Sequence, residues 1–170
     1  MHTWLDGDKY EGEWQECLRH GNGTDFFANG DVYVGHYQYG RPNGFGQYKW
    51  QNGNSYTGEF KEGMKHGKGK WKKAPGYHKN KINQYEGFYF QDRKHGYGEF
   101  TWETGNKYCG NYHFDERQGY GTMIWTDGSV YKGHWIKGVQ HGIGIMKFPN
   151  GKKRAGFFEN NVFMVPLIDF

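Results

Sequence analysis

Tyrosine returns along this chain at a fixed interval. Tyr10, Tyr33, Tyr56, Tyr85, Tyr108 and Tyr131 are spaced by 23 residues, save for one step of 29 between Tyr56 and Tyr85. Each opens the same pattern: a glycine two residues on, an aromatic at four, a Gly-x-Gly near the middle, then a further aromatic and glycine. The last full copy reads Tyr131, Gly133 and Trp135, then Gly142 and Gly144, then Phe148 and Gly151. A period of roughly 20–50 residues marks one supersecondary unit, too small to bury a face alone, so its neighbours along the chain must cover it.

The offsets identify the unit. Tyr10, Gly12 and Trp14 alternate with Glu11 and Glu13, the period of two that marks a strand with unlike faces. Gly21, Gly23 and Phe27 continue the alternation on a returning strand. Asn29-Gly30, Asn52-Gly53, Asp127-Gly128 and Asn150-Gly151 stand where the chain must reverse. The expected fold is therefore all-β: an elongated, single-layer antiparallel meander of stacked 23-residue hairpins, with no helix. The tyrosine, the glycine and the aromatic that follow share one face with the Gly-x-Gly and the aromatics after it. The other face carries Glu11, Glu13, His36, Glu59, Asn111, Lys132 and His134, mostly polar groups.

Composition says how such a sheet could have a core. Leucine occurs only at Leu5, Leu18 and Leu167, while aromatics make up 20% of the chain and glycine supplies 29 residues. Glycine inside a strand usually weakens it. Here a ring on one strand can lie flat across a neighbour that has no Cβ, which places an aromatic-on-glycine core within a single layer.

The chain opens in mid-repeat. Trp4 and Gly7 match the closing aromatic and glycine of a unit whose tyrosine would lie upstream, so residues 1–9 read as a half-repeat, and a longer protein is the expectation. Full repeats occupy 10–32, 33–55, 56–84, 85–107, 108–130 and 131–153. Between Gly76 and Tyr85 stand eight residues where other repeats have two, an excess expected to extend one turn and leave the pairing intact. From 154 to 170 the pattern fails: Arg154 replaces the tyrosine, Val165 replaces the first glycine of the pair, and the sequence becomes the most aliphatic in the chain. A degenerate repeat closed by an apolar C-terminal cap is expected, since repeat arrays need protected ends; a segment that docks on a partner is the other reading.

Tyr33, Gly35 and Tyr37 with Gly44 and Gly46 carry a recognisable motif. So do Tyr56, Gly58 and Phe60 with Gly67 and Gly69, and Tyr85, Gly87 and Tyr89 with Gly96 and Gly98. Tyr108, Gly110 and Tyr112 with Gly119 and Gly121 repeat it again. At these offsets the sequence resembles the MORN (membrane occupation and recognition nexus) repeat family. The resemblance implies an elongated, twisted array of hairpins whose aromatic side forms a groove. It also implies a scaffold, since members look like scaffolds of ciliary radial spokes, protist cytoskeletons and membrane junctions, or stand beside catalytic domains.

Catalytic and metal-binding patterns are weak. The glycines from Gly63 to Gly69 lack the phosphate-loop frame and open no helix. Asp6 and Asp8 imitate a calcium loop but Glu11 occupies its glycine position. His20, His66, His95 and His141 recur before the glycine pairs, but equivalent residues of successive hairpins lie about 9–10 Å apart, too far to share one zinc. Cys17 and Cys109 lie four repeats apart, too far to bridge in a stacked array, and read as reduced thiols. No 18-residue apolar run and no signal peptide are present, so a cytoplasmic chain is expected. No enzyme, cofactor, metal or nucleic-acid partner is expected.

Two surfaces remain. Arg19, Arg41, Lys65, Arg93, Lys94 and Arg117 fall in the turns before the glycine pairs and read as solvated edge charge that discourages sheet pairing. Lys72, Lys73, Lys79 and Lys81 cluster around the insertion and are candidate contacts for an acidic partner or, weakly, for acidic phospholipid. The stronger candidate is the aromatic face, because no helix is left to cover it. Trp50, Tyr56, Phe60, Trp71, Tyr85, Tyr89, Trp102, Tyr108, Tyr112 and Trp125 are its expected partner-binding residues, receiving an apolar helix or extended segment. The expected function is a non-catalytic protein-binding scaffold of the cytoskeleton, with the ciliary axoneme or radial spoke as the leading location and a homodimer left open. The alternatives are a membrane tether for acidic phospholipids and a regulatory module of a larger enzyme.

Overall fold

The computed structural model describes residues 1–76 and 82–167. They fall into two compact units, Met1–Arg93 and Lys94–Phe170. The first contains β1 (His2–Thr3), β2 (Lys9–Gln15), β3 (Leu18–Phe26), β4 (Val32–Gln38), β5 (Arg41–Lys49), β6 (Ser55–Lys61), β7 (Met64–Lys72) and β8 (Gln84–Phe90). The second contains β9 (Arg93–Thr101, its first residue at the boundary), β10 (Lys107–His113), β11 (Glu116–Ile124), β12 (Val130–Ile136), β13 (Val139–Lys147), β14 (Lys153–Glu159) and β15 (Val162–Pro166). Within each unit, strands adjacent in sequence pair antiparallel in one meandering layer, and the described residues contain no helix.

Two kinds of turn alternate. One follows the Asn-Gly and Asp-Gly sites: Phe27 N–H donates to Asp31 O at 3.0 Å, Gly30 N–H donates to Phe27 O at 2.9 Å, and Gly30 sits at φ +91°. This is the three-residue hairpin with a glycine bulge, which suits a sharp reversal. The half-repeat uses the same bonds, from Trp4 to Asp8 O and from Gly7 to Trp4 O. The other kind joins the two strands of one repeat through two residues at positive φ, such as Lys137 (47°) and Gly138 (82°). Residues at 77–81 in the enlarged turn lie outside the described segments. On either side of them pairing is undisturbed, with Gly69 opposite Gly87 and Lys72 opposite Gln84.

The core lies within the layer itself. The opening tyrosines Tyr10, Tyr33, Tyr56, Tyr85, Tyr108 and Tyr131 are at most 1% exposed. Each hydroxyl donates to the carbonyl three residues on, from Glu13 (2.9 Å) through Asn111 (3.0 Å) to His134 (2.9 Å). In four repeats that carbonyl belongs to the residue the ladder skips, His36, Glu59, Asn111 or His134: between Gly110 and Tyr112, for example, the register of β10 on β11 shifts, leaving Asn111 in a bulge. Bulge and tyrosine therefore specify each other.

Three glycines make room, for two different reasons. A Cβ on Gly110 would meet Gly121 Cα at 2.5 Å and Tyr108 Oη at 2.6 Å, so this glycine and Gly121 are required by the ring. Gly119 instead sits at φ +83° in the bulge and is required by the backbone; a Cβ there would be in ordinary contact with Asn111. Glycine adopts that left-handed conformation without the penalty a side chain brings.

Rings then interlock edge to face. In the first unit Trp14, Tyr10, Tyr37, Tyr33, Phe60, Tyr56, Tyr89 and Tyr85 form a zigzag with centroids 5.0–5.2 Å apart. In the second, Tyr112, Tyr108, Trp135, Tyr131, Phe158 and Phe163 do the same at 5.0–5.3 Å. Edge-to-face pairs at this separation add about 0.5–1.5 kcal/mol each beyond area burial. Phe163, on β15, lies over Gly156 as the tyrosines lie over theirs, so the degenerate last hairpin continues the same packing.

Two outcomes follow. Gly110→Ala should destabilise the chain by about 1–3 kcal/mol or more, as overpacking does, measured by urea unfolding. Lys137→Asn should stabilise it by about 0.5–1 kcal/mol, because Asn tolerates the left-handed first position of this turn and precedes Gly138.

Candidate functional site

The aromatic face holds more than rings. Lys65 Nζ lies 5.4 Å from the Tyr89 ring centre, 5.8 Å from Tyr56 and 6.0 Å from Trp50. Arg117 lies 4.6 Å from Trp135 and 5.7 Å from Tyr108, and donates to Gly138 O at 2.6 Å. Lys94 lies over Phe100 and Tyr112, and Arg19 over Trp4, Tyr10 and Tyr37. These cations are not solvated edge charges. The register puts Arg19 opposite Trp14, Lys65 opposite Phe60 and Arg117 opposite Tyr112, on the ring side of the sheet. Arg41 and Arg93 are exposed.

In one repeat the cation is held by a buried acid. Asp25, 4% exposed, accepts two hydrogen bonds from Arg19 (2.9 and 2.6 Å) and one from the Tyr37 hydroxyl (2.7 Å). It occupies the position opposite Tyr10 where other repeats place an aromatic or methionine.

The ten residues expected to bind a partner divide into two sets. Tyr56, Phe60, Tyr85, Tyr89, Tyr108 and Tyr112 are buried, at 0–7% exposure, and belong to the interlocked core. Trp50, Trp71, Trp102 and Trp125 are half-buried. Trp71 stands opposite Tyr56 and Tyr85. Trp50, Trp102 and Trp125 each open a bulged turn, where the backbone both donates and accepts a hydrogen bond, so the indoles are held from below. Trp50 packs on Tyr48 at 4.8 Å and Trp102 on Phe100 at 4.7 Å. Of the expected basic cluster, Lys72 and Lys73 are exposed, and Lys79 and Lys81 lie outside the described residues.

The recurrent histidines stack on rings: His66 on Phe90 at 5.3 Å, His95 on Phe114 at 4.8 Å and His141 on Phe157 at 6.0 Å. Neither cysteine forms a disulfide, and burial, then the neighbouring Glu99, pushes the Cys109 thiol up and away from the nucleophilic thiolate. Among the described residues no helix is long and apolar enough to cross a membrane.

The MORN repeat model matches residues 10–32, 33–55, 56–76, 85–107, 108–130 and 131–153. This chain belongs to the MORN-repeat family. No curated protein matches it in sequence. Among solved structures, the SAS-4 (dCPAP) TCP domain of Drosophila melanogaster, in complex with a proline-rich motif of Ana2 (dSTIL), is similar with a TM-score of 0.54. Identity is 14%, over 92% of this chain and 81% of that one. The TCP10 domain of Danio rerio CPAP, in complex with a STIL peptide, gives a TM-score of 0.48 at 14% identity, over 91% and 76% of the two chains. At 14% identity the likeness to the Drosophila domain is one of fold.

The other face of the MORN sheet differs from the polar surface expected of it. Phe45, Phe88, Tyr97, Tyr120, Ile143 and Phe157 are all at least 40% exposed there. The signal was present in sequence, since the middle residue of each Gly-x-Gly must point away from the tyrosine ring.

Burial raises the pKa of Tyr33, Tyr56 and Tyr108, and pushes Tyr131 up to about 12. An unfolded tyrosine titrates near 10. The neutral form is thus favoured by folding: the stability these tyrosines contribute is fully present below about pH 10 and is lost as pH rises from there through the folded-state values. Thermal melts should be flat in midpoint up to about pH 10 and fall steeply above it, with tyrosinate absorbance appearing in step with unfolding.

Proposed function

We propose that this MORN chain is a non-catalytic protein-binding scaffold whose aromatic face grips a segment of a partner. The observation that carries the proposal is the division of labour just described. Within each unit the tyrosines close the core, and Trp50 and Trp71 in the first and Trp102 and Trp125 in the second remain half-buried beside it, on turns or strands. Tryptophan and arginine dominate interface energetics because they present large, stiff surfaces with a polar handle. Lys65 on the aromatic face of the first unit, and Lys94 and Arg117 on that of the second, supply donors for the carbonyls of an extended chain or for the end of a helix. The solved TCP domain of similar fold holds a proline-rich motif, which supports an extended segment as the occupant.

The setting we propose is a cytoskeletal assembly, with the ciliary axoneme as the first place to look, on the strength of the family resemblance. A lipid tether has less behind it, since Lys65, Lys94 and Arg117 lie over aromatic rings rather than along a solvated edge.

Pull-down from cell extract, with and without detergent, identifies the partner and separates a protein from a membrane. With it in hand, Trp102→Ala or Trp125→Ala should weaken binding tenfold or more, an anchor residue being worth about 2 kcal/mol, while the melting temperature falls only slightly. Tyr97→Ala, on the opposite face, should bind normally. Normal binding by both tryptophan variants would move the site off the aromatic face.

A further inference from the structure

The face turned away from the tyrosines carries an apolar patch in the second unit, and its surroundings define what fits it. Ile143 lies opposite Phe157 and Phe157 opposite Val165, while Tyr120 reaches them across His134. In the next row Ile145 lies opposite Ala155. Tyr120, Ile143, Ile145, Phe157 and Val165 are between 40% and 58% exposed. Cross-strand neighbours and their diagonals on one face are within about 8 Å, so these side chains make one continuous surface.

Charge around the patch is one-sided and unmatched. Lys132, opposite Ile145, and Lys147 and Lys153, opposite each other, are exposed along one flank. Like charges directly opposite in a sheet repel. Two other lysines on this face do have carboxylate partners, Lys70 with Glu86 at 2.7 Å and Lys107 with Glu99 at 2.6 Å. Among the described residues no carboxylate pairs with Lys132, Lys147 or Lys153. Glu159 stands on the far flank.

We propose that this patch seats an apolar segment of a partner protein that bears carboxylates along one side, complementing the three lysines. A second copy of the chain would bring the same lysines rather than the missing carboxylates. An anionic bilayer would press on both flanks and be repelled by Glu159, and the apolar groups lie flat in a paired sheet instead of projecting from a loop. The site is separate from the tryptophan face and stands whether or not that face binds.

The probe is a displayed library of random peptides selected against the intact chain, with binders re-measured on variants. Recovered peptides should combine apolar residues with net negative charge. Their affinity should fall at least tenfold with Lys132→Glu plus Lys147→Glu, and be lost with Ile143→Glu. Ile143→Thr, a β-branched replacement suited to an exposed strand position, should also weaken them at an unchanged melting temperature, which excludes misfolding as the cause. Trp125→Ala should leave them bound. No binders, binders without carboxylates, or binders lost with Trp125→Ala but kept by Ile143→Glu would each overturn the proposal. So would lysine-dependent binding to phosphatidylserine vesicles without any acidic peptide.

Discussion

A tyrosine ring lying on two glycines, with its hydroxyl closed onto a bulge carbonyl, is the contact from which the rest of this protein follows. Tyr108 shows each part: the ring covers Gly110 and Gly121, the hydroxyl takes the Asn111 carbonyl, and the ring edges meet Tyr112 and Trp135. A single sheet has no second layer to bury against, so it must exclude water within its own thickness. Removing two Cβ atoms lowers the ring into the backbone, and the next repeat's aromatic closes the gap beside it. A buried tyrosine hydroxyl without a partner would be costly, and the bulge supplies one.

This economy leaves the surfaces free for other uses. Because the tyrosines are consumed in packing, what lies above them is a layer of half-buried tryptophans and basic residues. Arg117 is the clearest case: burial holds its pKa below the usual guanidinium value, yet it sits 4.6 Å over Trp135 with a backbone carbonyl to donate to. Cation–π contact and one strong hydrogen bond offset the desolvation. The cations of this face are therefore positioned parts of it.

The sheet and its strand order could be read directly from the sequence, because period and alternation are properties of residue spacing. The reason for the first glycine of each pair was not legible. Gly119 and Gly121 look alike in sequence, but one answers to backbone conformation and the other to a ring. The turns within repeats were also hidden. Phe114 and Asp115 at positive φ carry no Asn-Gly signature, and the alternate turn had to be inferred from the reversal itself. The position of the charges differs from the expectation for a related reason. A residue beside a turn looks exposed, but Lys65 and Arg117 keep the alternation of the glycines that follow them and stand opposite Phe60 and Tyr112 on the ring side. The site was legible as a set of aromatics; which of them remain accessible was not, since that depends on the depth to which glycine lets each ring sink.

The same geometry explains how one repeat can carry different surfaces. The residue between the paired glycines points away from the ring, so nothing in the core constrains it. Along the chain that position is Asn22, Phe45, Lys68, Tyr97, Tyr120 and Ile143, polar, aromatic, basic and aliphatic in turn. Its cross-strand neighbour is equally free, passing from His36 and Glu59 to Phe88, Asn111, His134 and Phe157. Sequence can vary in this row without touching Tyr-on-Gly packing, and stability and recognition are thereby separated by one residue's spacing. An apolar patch that arises there costs the fold little, so its concentration at Tyr120, Ile143 and Phe157, beside lysines with no carboxylate partner among the described residues, points to something outside the chain.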